Sequence, residues 1–265
     1  MSAGRQTAFA TRRVALTVGT PYCRGMVGIQ GKLRSEFTKL VGPNVAGRLD
    51  LFGPSRREPW GGPLNGQERR REIVQELARA FRFDRVLETG TFRGSSTAFF
   101  AAVFPAPIHT VESNQRFFAC SRLRLRLRPR VTVEFGNSRA FLRRMADLPS
   151  ATTDAVFIYL DAHWEDDLPL ADELRIVGQS WTRCVVMIDD FEVPGDSGYG
   201  YDDYGPGKVL TEDYLPVRAL KGWSLSYPSA SSAHETGARR GCCVLASPVL
   251  IQSAAVPSLR QSHVL

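Results

Sequence analysis

The feature that most constrains the fold is a regular alternation of short apolar runs with helical patterns between residues 85 and 188. The predicted strands are Arg85–Glu88, Ile108–Val111, Val131–Phe135, Ala155–Leu160 and Cys184–Ile188. Helical spacing is found between them, near 95–104, 114–127, 138–147 and 167–178. Strand and helix repeating every 20–30 residues indicate an α/β fold. Two later runs, Trp223–Tyr227 and Cys242–Ala246, are also predicted strands. The sequence therefore predicts a doubly wound, mainly parallel seven-stranded sheet with helices on both faces.

One stretch between these strands follows a different period. Leu123–Arg128 alternates leucine with arginine, a period of two that is typical of a strand. A parallel crossover needs a helix at this point, because stronger strands lie on both sides. We therefore interpret Leu123–Arg128 as the end of a helix.

Composition excludes several classes of protein. Hydrophobic residues make up 43% and charged residues 23% of the 265 positions, which is enough apolar mass for a sizeable core. No window approaches 18 uninterrupted apolar residues, so we expect no membrane span and no membrane partner. The five cysteines form an odd set without a C-x-x-C pair. This pattern argues against a disulfide scaffold or a structural zinc site and favours a reducing, cytoplasmic location.

The net charge of +7 is concentrated at one end of the chain. Residues 1–60 contain ten Lys and Arg against three acids, whereas the rest carries 24 residues of each sign. We therefore expect a basic N-terminal extension with a linker over 1–60, the main domain over 61–250 and a C-terminal tail over 251–265. The neutral main domain argues against nucleic acid as a partner. Apolar residues at helical spacing predict one short helix in the extension: Ile29, Leu33, Phe37, Leu40 and Val41.

Polar residues follow the ends of the first three predicted strands. The first strand runs into Glu88-Thr-Gly90-Thr-Phe-Arg-Gly94-Ser before a helix, and glycines at such a turn let the backbone approach a ligand. The second ends at Glu112, where a carboxylate can accept hydrogen bonds from both hydroxyls of a ribose. The third ends in Asn137-Ser138, whose side chains can hydrogen-bond an adenine edge. Taken singly, the glycines are also consistent with a plain turn and Glu112 with a solvated charge.

The order of these groups resembles the class I S-adenosylmethionine-dependent methyltransferases over roughly residues 66–250. The resemblance implies their Rossmann-like fold and S-adenosyl-L-methionine as cofactor. It places Glu88 near the methionine moiety, Glu112 at the ribose and Asn137-Ser138 at the adenine. The complete set of implied cofactor-binding residues is Glu88, Gly90, Thr91, Gly94, Ser95, Glu112, Asn137 and Ser138.

Three aspartates follow the fourth and fifth predicted strands. Asp161 follows the fourth strand, and the Asp189-Asp190 pair follows the fifth. Carboxylates at adjacent strand ends can converge on one point, and hard oxygen donors suit Mg²⁺ or a similar divalent cation. The separation of 28 residues between Asp161 and Asp189 resembles the metal-dependent sugar and small-molecule O-methyltransferases of antibiotic tailoring. That resemblance implies that Asp161, Asp189 and Asp190 are metal ligands.

A base is also needed, because a neutral alcohol is a weak nucleophile towards a sulfonium methyl group. His163, two residues after Asp161, is the candidate base, and these two residues are the predicted catalytic pair. After the fifth strand, a Gly- and Tyr-rich loop over 192–208 can close over an acceptor.

Together these features predict an enzyme, an S-adenosylmethionine-dependent, divalent-metal-assisted O-methyltransferase. Its predicted partner is a small molecule, a sugar or other metabolite whose hydroxyl accepts the methyl group. The chain is also a possible homo-oligomer. Three alternatives remain at this point: a nucleic-acid methyltransferase that uses the basic extension, a hydroxylase-like relative of the same fold, and a non-catalytic binding module.

Overall fold

A computed structural model describes residues 35–52, 59–163, 167–251 and 256–265. Within them the central sheet has eight strands in the order β3-β2-β1-β4-β5-β7-β6-β8. The strands are β1 Arg85–Thr89, β2 Ile108–Glu112, β3 Val131–Phe135, β4 Val156–Leu160, β5 Cys184–Asp189, β6 Ser224–Pro228, β7 Cys242–Ala246 and β8 Leu259–Val264. The first five strands are parallel, and the last three pair antiparallel. This topology confirms the predicted doubly wound, mainly parallel sheet.

The helices cover both faces of this sheet. Residues 35–41 are helical. The α-helices after them are α1 Pro43–Leu49, α2 Glu68–Ala80, α3 Ser95–Val103, α4 Gln115–Leu125, α5 Ser138–Ala146, α6 Leu170–Ser180 and α7 Pro248–Ile251. Alternate residues of the buried central strands enter two separate cores, as the pleat requires. Ile158 of β4 joins the core that contains α5 and α6, whereas Phe157 joins the core that contains α2 and α3.

The prediction of seven strands is wrong by one. The additional strand, β8, pairs antiparallel with β6 and lies at the edge of the sheet, in the segment predicted as a C-terminal tail. Its side chains are exposed except at Leu259, which is half-buried. An edge strand with both faces near solvent needs no apolar alternation, so the pattern that marks the other strands is missing here. The predicted domain boundaries are not tested by this finding.

Two further predictions concern the alternating segment Leu123–Arg128 and the N-terminal helix. Helix α4 ends at Leu125, and Arg126 is its αR C-cap, so the alternating Leu123–Arg128 segment is the end of a helix as predicted. The predicted N-terminal helix is described from residue 35 onward, and its positions Ile29 and Leu33 lie outside the described residues. No helix among the described residues is long and apolar enough to cross a membrane.

The order of the strands fixes where a ligand can bind. The chain moves outward from β1 through β2 to β3 and then returns to the other side of β1 at β4. In a parallel sheet of this kind, the crevice outside the carboxyl ends of the strands at such a reversal is the usual binding position. The loops after β1 and β4 therefore border the candidate site.

Candidate cofactor and metal site

The turn after β1 is held against the end of β4. Gly90 has a φ of +84°, and a Cβ atom at this position would lie 2.1 Å from the carbonyl oxygen of Asp161. The Asp161 amide donates to the carbonyl oxygen of Thr89 at 3.0 Å, which continues the strand pairing to this point. Only glycine fits such a contact without displacing the backbone. The glycine turn and Asp161 are therefore held in direct backbone contact.

Glu88 lies below this turn and is 1% exposed. The hydroxyls of Thr97 and Thr110 donate to its Oε2 atom, and the Thr110 hydroxyl lies 2.5 Å from that of Thr91. Burial raises the pKa of Glu88 to about 7, against the opposing effect of the two hydroxyl donors. Glu88 therefore forms the polar floor of the turn. Thr91 belongs to the same network, whereas Ser95 is the half-buried first residue of α3.

Glu112 ends β2 and is held by backbone amides. Its two carboxylate oxygens accept from the amides of Phe92 at 2.6 Å and Asn114 at 2.7 Å. Burial raises its pKa, and these backbone donors oppose the rise. The first amide belongs to the glycine turn, so the carboxylate joins the ends of β1 and β2 in one fixed arrangement.

Asn137 begins helix α5 as its N-cap. Its side-chain oxygen accepts from the amides of Arg139 at 3.0 Å and Ala140 at 3.3 Å. This is the usual capping contact of asparagine, and it already engages the oxygen of a side chain that was predicted to hydrogen-bond adenine. Ser138 follows as the first helical residue and is buried. A structural role accounts for Asn137, and its contact with adenine stays a prediction.

Three ionisable side chains converge beyond the ends of β4 and β5. Asp161, His163 and Asp190 each offer one ligand atom, and these atoms lie within 4.8 Å of one another. His163 is 4% exposed, and neither of its ring nitrogens has a hydrogen-bond partner among the described residues. Burial lowers its pKa, so the imidazole is neutral near pH 7 and one of its two ring nitrogens offers a lone pair. Two carboxylates and a neutral imidazole make a suitable donor set for a divalent cation.

Asp189, the third predicted ligand, occupies a different environment. It pairs with the buried Arg70 of α2 and accepts from the Tyr159 hydroxyl at 2.5 Å and the Asn65 amide nitrogen at 3.2 Å. Burial lowers the pKa of the Arg70 guanidinium. The negative charge of Asp189 opposes this effect, and the pKa lies above its ordinary value. The structure therefore groups His163, and not Asp189, with the other two predicted ligands. Metal binding by these residues stays a prediction.

The loop after β5 reaches back over this group. Arg240 donates from Nε to Asp190 Oδ1 at 2.7 Å and also pairs with Asp202 of the loop. The Tyr204 hydroxyl donates to Asp202 at 2.5 Å and lies 3.3 Å from the carbonyl oxygen of His163. Burial and the charge of Asp189 raise the pKa of Asp190 to about 7, and Arg240 opposes this rise. The predicted Gly- and Tyr-rich loop is thus fixed next to the acidic group through Arg240.

Sequence reasoning missed the basic and aromatic partners at this site. Arg70 lies in a run of three arginines on α2, and Arg240 lies in a polar stretch before β7. Nothing in their local pattern distinguishes them from solvated surface charges. Tyr159 lies inside a buried strand, where an aromatic residue needs no functional explanation.

Comparison with known proteins agrees with this architecture. No protein-family model matches the sequence, and a search of curated proteins finds no match. Among solved structures, the O-methyltransferase TomG of Streptomyces achromogenes, involved in tomaymycin synthesis and solved with S-adenosylmethionine, is 15% identical with a TM-score of 0.51. The alignment covers 82% of this chain and 96% of TomG.

A second similar structure is the O-methyltransferase of Bacillus cereus in complex with S-adenosylhomocysteine. It is 16% identical with a TM-score of 0.51, and the alignment covers 82% of this chain and 97% of that protein. At these identities the similarity establishes a shared fold. The chain therefore has the Rossmann-like fold of class I methyltransferases.

Proposed function

We propose that this protein is an S-adenosylmethionine-dependent, divalent-metal-assisted O-methyltransferase that acts on a hydroxyl of a sugar or other small metabolite. The observation that carries the proposal is the contact between Gly90 and the backbone of Asp161. Because of this contact, the glycine turn that we propose to hold the cofactor lies directly beside Asp161 at the reversal of the sheet. A methyl donor and an acceptor hydroxyl bound at these two positions would be neighbours.

The cofactor half of the proposal depends on the ends of the first three strands. Glu112 would accept from the ribose hydroxyls, since its carboxylate is oriented by two backbone amides and retains lone pairs for further donors. Glu88 would lie near the methionine moiety, and Asn137 with Ser138 would face the adenine. TomG and the Bacillus cereus protein, which share the fold, were solved with the methyl donor and its product, respectively.

The acceptor half depends on Asp161, His163 and Asp190, which would hold a divalent cation. Four carboxylates lie in this region (Asp161, Asp189, Asp190 and Asp202), against the guanidinium groups of Arg70 and Arg240. With all of them ionised, the net charge is −2, which one divalent cation would balance. When bound, such a cation would lower the pKa of the acceptor hydroxyl and fix its direction of attack.

His163 has two chemically distinct roles available in this proposal. Its neutral ring can coordinate the cation, or it can take the proton from the acceptor hydroxyl, as the sequence predicts. A His163→Gln variant separates the two roles. Weaker Mg²⁺ binding in calorimetry would identify a ligand, whereas unchanged Mg²⁺ binding with loss of turnover would identify the base.

The first experiment is a calorimetric titration of S-adenosylhomocysteine into the full chain with Mg²⁺ present. We expect micromolar or tighter binding, followed by methylation of hydroxylated acceptors in a screen with labelled cofactor. Glu112→Ala should weaken binding by about 1.5–3 kcal/mol, as expected for hydrogen bonds to a charged group. Glu76→Ala is the control and should bind normally, because Glu76 accepts hydrogen bonds from Ser258, next to the edge strand β8.

Two results would contradict the proposal. Failure of the folded wild-type protein to bind S-adenosylhomocysteine would exclude the cofactor. Equal binding by the Glu112→Ala variant and the wild type would show that the ribose is held elsewhere.

A further inference from the structure

Asp50 connects the N-terminal helix to the glycine turn after β1. It follows helix α1 as its C-cap and is 1% exposed. Its two carboxylate oxygens accept from Nε and Nη2 of Arg116, both at 2.7 Å, in a bidentate pair. One of these oxygens also lies 3.6 Å from Nη2 of Arg93, which is 2% exposed. Arg93 belongs to the turn between Gly90 and Gly94, so the ion pair bridges α1, α4 and this turn.

The position of Asp50 is unfavourable for its own helix. A carboxylate at a helix C-terminus faces the negative end of the helix dipole, where a cation would be stabilising. Burying that carboxylate adds a desolvation cost, which only its arginine partners offset. Local helix stability therefore does not explain Asp50. The explanation lies in the contact with Arg93 and Arg116.

The packing of α1 against α4 supports this contact. A Cβ atom at Gly47 would lie 2.1 Å from the carbonyl oxygen of Arg116 and 3.0 Å from Cβ of Ala119. Glycine at this position lets the two helix backbones approach closely enough for Asp50 to reach both arginines. Thr38, in the preceding helical segment, accepts from Nη1 of Arg116 at 2.9 Å.

Arg93 transmits the contact to the turn itself. Its guanidinium carbon lies 5.3 Å from the ring centre of Phe92 and 5.9 Å from that of Phe117, and the two rings meet edge to face at 4.4 Å. Phe92 has a φ of 49°, a left-handed conformation that is costly for a residue with a bulky side chain. In this conformation its amide donates to Glu112 at 2.6 Å.

We propose that Asp50 is a positioning residue for cofactor binding. Through Arg93 it holds Phe92 in its left-handed conformation, and the Phe92 amide then orients the Glu112 carboxylate for the ribose. The inference rests on the proposed function, because it assigns a use to the same cofactor site. The helix α1 region is thereby part of the cofactor site, although it was expected to be a basic extension.

Asp50→Asn tests this inference, since it removes the charge and keeps the shape of the side chain. The matched control is Asp154→Asn, which neutralises a partly buried carboxylate paired with Arg85 at 3.0 Å, at the amino-terminal ends of β1 and β4. Both variants should be less stable in urea. Only Asp50→Asn should also raise the Kd for S-adenosylhomocysteine, by about tenfold, within the range usual for coupling between separate sites.

Hydrogen exchange of the peptide that contains residues 90–94 gives a second measurement. Exchange in the wild type should slow when S-adenosylhomocysteine binds, and this effect should be smaller in Asp50→Asn. If Asp50→Asn does not fold, Arg93→Lys replaces it, because lysine keeps the charge but has no planar guanidinium that can lie over the two rings and pair with Asp50 at once. Arg93→Lys should also raise the Kd.

Two negative results are distinguishable. Wild-type protein that does not bind S-adenosylhomocysteine would contradict the proposed function itself. Wild-type binding with an unchanged Kd in folded Asp50→Asn or Arg93→Lys protein would overturn the positioning role alone and leave a purely structural ion pair.

Discussion

Replacing Glu173 by glutamine should stabilise the protein at alkaline pH. Glu173 lies in the first turn of α6 and is completely buried, and neither carboxylate oxygen has a hydrogen-bond partner among the described residues. Burial raises its pKa from 4.5 to about 7. The hydroxyls of Ser138 and Thr89 oppose this rise, without completing a hydrogen bond of normal geometry.

The sign and size of the effect follow from this pKa. Between pH 4.5 and about 7 the folded protein retains a proton that the unfolded chain has released, so stability falls as the pH rises through this window. Above about pH 7 Glu173 is ionised in the folded protein as well, and the full loss in the free energy of unfolding is present. The gap between 4.5 and about 7 corresponds to about 3 kcal/mol at 1.36 kcal/mol for each pH unit. Glutamine is neutral at every pH and avoids this cost.

Urea denaturation of both proteins at pH 4.5 and pH 8 measures the difference. We expect Glu173→Gln to exceed the wild type by up to about 3 kcal/mol at pH 8 and to match it closely at pH 4.5. Glu72→Gln is the control, because Glu72 is 43% exposed and pairs with Arg69 at the surface. Parallel pH profiles for Glu173→Gln and wild type would refute the reasoning, since they would show that Glu173 has the same pKa folded and unfolded.

Two further predictions concern the backbone and the thiols. Gly90→Ala should lower the free energy of unfolding in urea by at least about 2 kcal/mol, because its Cβ would meet the Asp161 carbonyl oxygen. Gly205 is the control, because it shares the positive φ but a Cβ atom there would have no atom within 4 Å. Gly205→Ala should therefore cost only about 1 kcal/mol. Equal losses of unfolding free energy in the two variants would show that the contact with Asp161 does not matter. Burial raises the pKa of the Cys242 thiol to about 12 and also covers the other described cysteines. A Cys23→Ser variant should therefore react with a disulfide reagent only after denaturation, and rapid labelling of the native variant would contradict this expectation.

The sheet was predictable from sequence where strands are buried on both faces. Strands β4 and β5 are fully buried, so continuous apolar runs marked them to within one residue of their ends. The parallel direction of these strands follows from the helical crossovers between them, which carry their own apolar period. Strand β8 lacks this signal because solvent reaches its side chains, and the antiparallel pairing with β6 has no crossover to predict it.

The candidate site was predictable as a set of strand ends but not as a set of contacts. Asp189 and Asp190 are adjacent, and the sequence offers no reason to treat them differently. In the structure Asp189 ends β5 and turns towards the core face that carries Tyr159 and Arg70, whereas Asp190 leaves the strand with a φ of 53°. Because the backbone turns at Asp190, its carboxylate pairs with Arg240, whereas that of Asp189 pairs with Arg70. The partner of Asp189 lies 119 residues away, beyond the reach of any local pattern.

Backbone strain gives an independent argument for the function of this sheet edge. Non-glycine residues in the left-handed region cost on the order of 1–3 kcal/mol when the surroundings force them into sparsely populated conformations. Several of them border the candidate site: Leu64, Asn65, Phe92, Asp190 and Arg239. Their contacts lead to the same groups, since Asn65 donates to Asp189, and Phe92 donates to Glu112. At Asn65 and Phe92 the backbone conformation that costs stability is the one from which a donor reaches a carboxylate of the proposed site, as the proposed binding function would require.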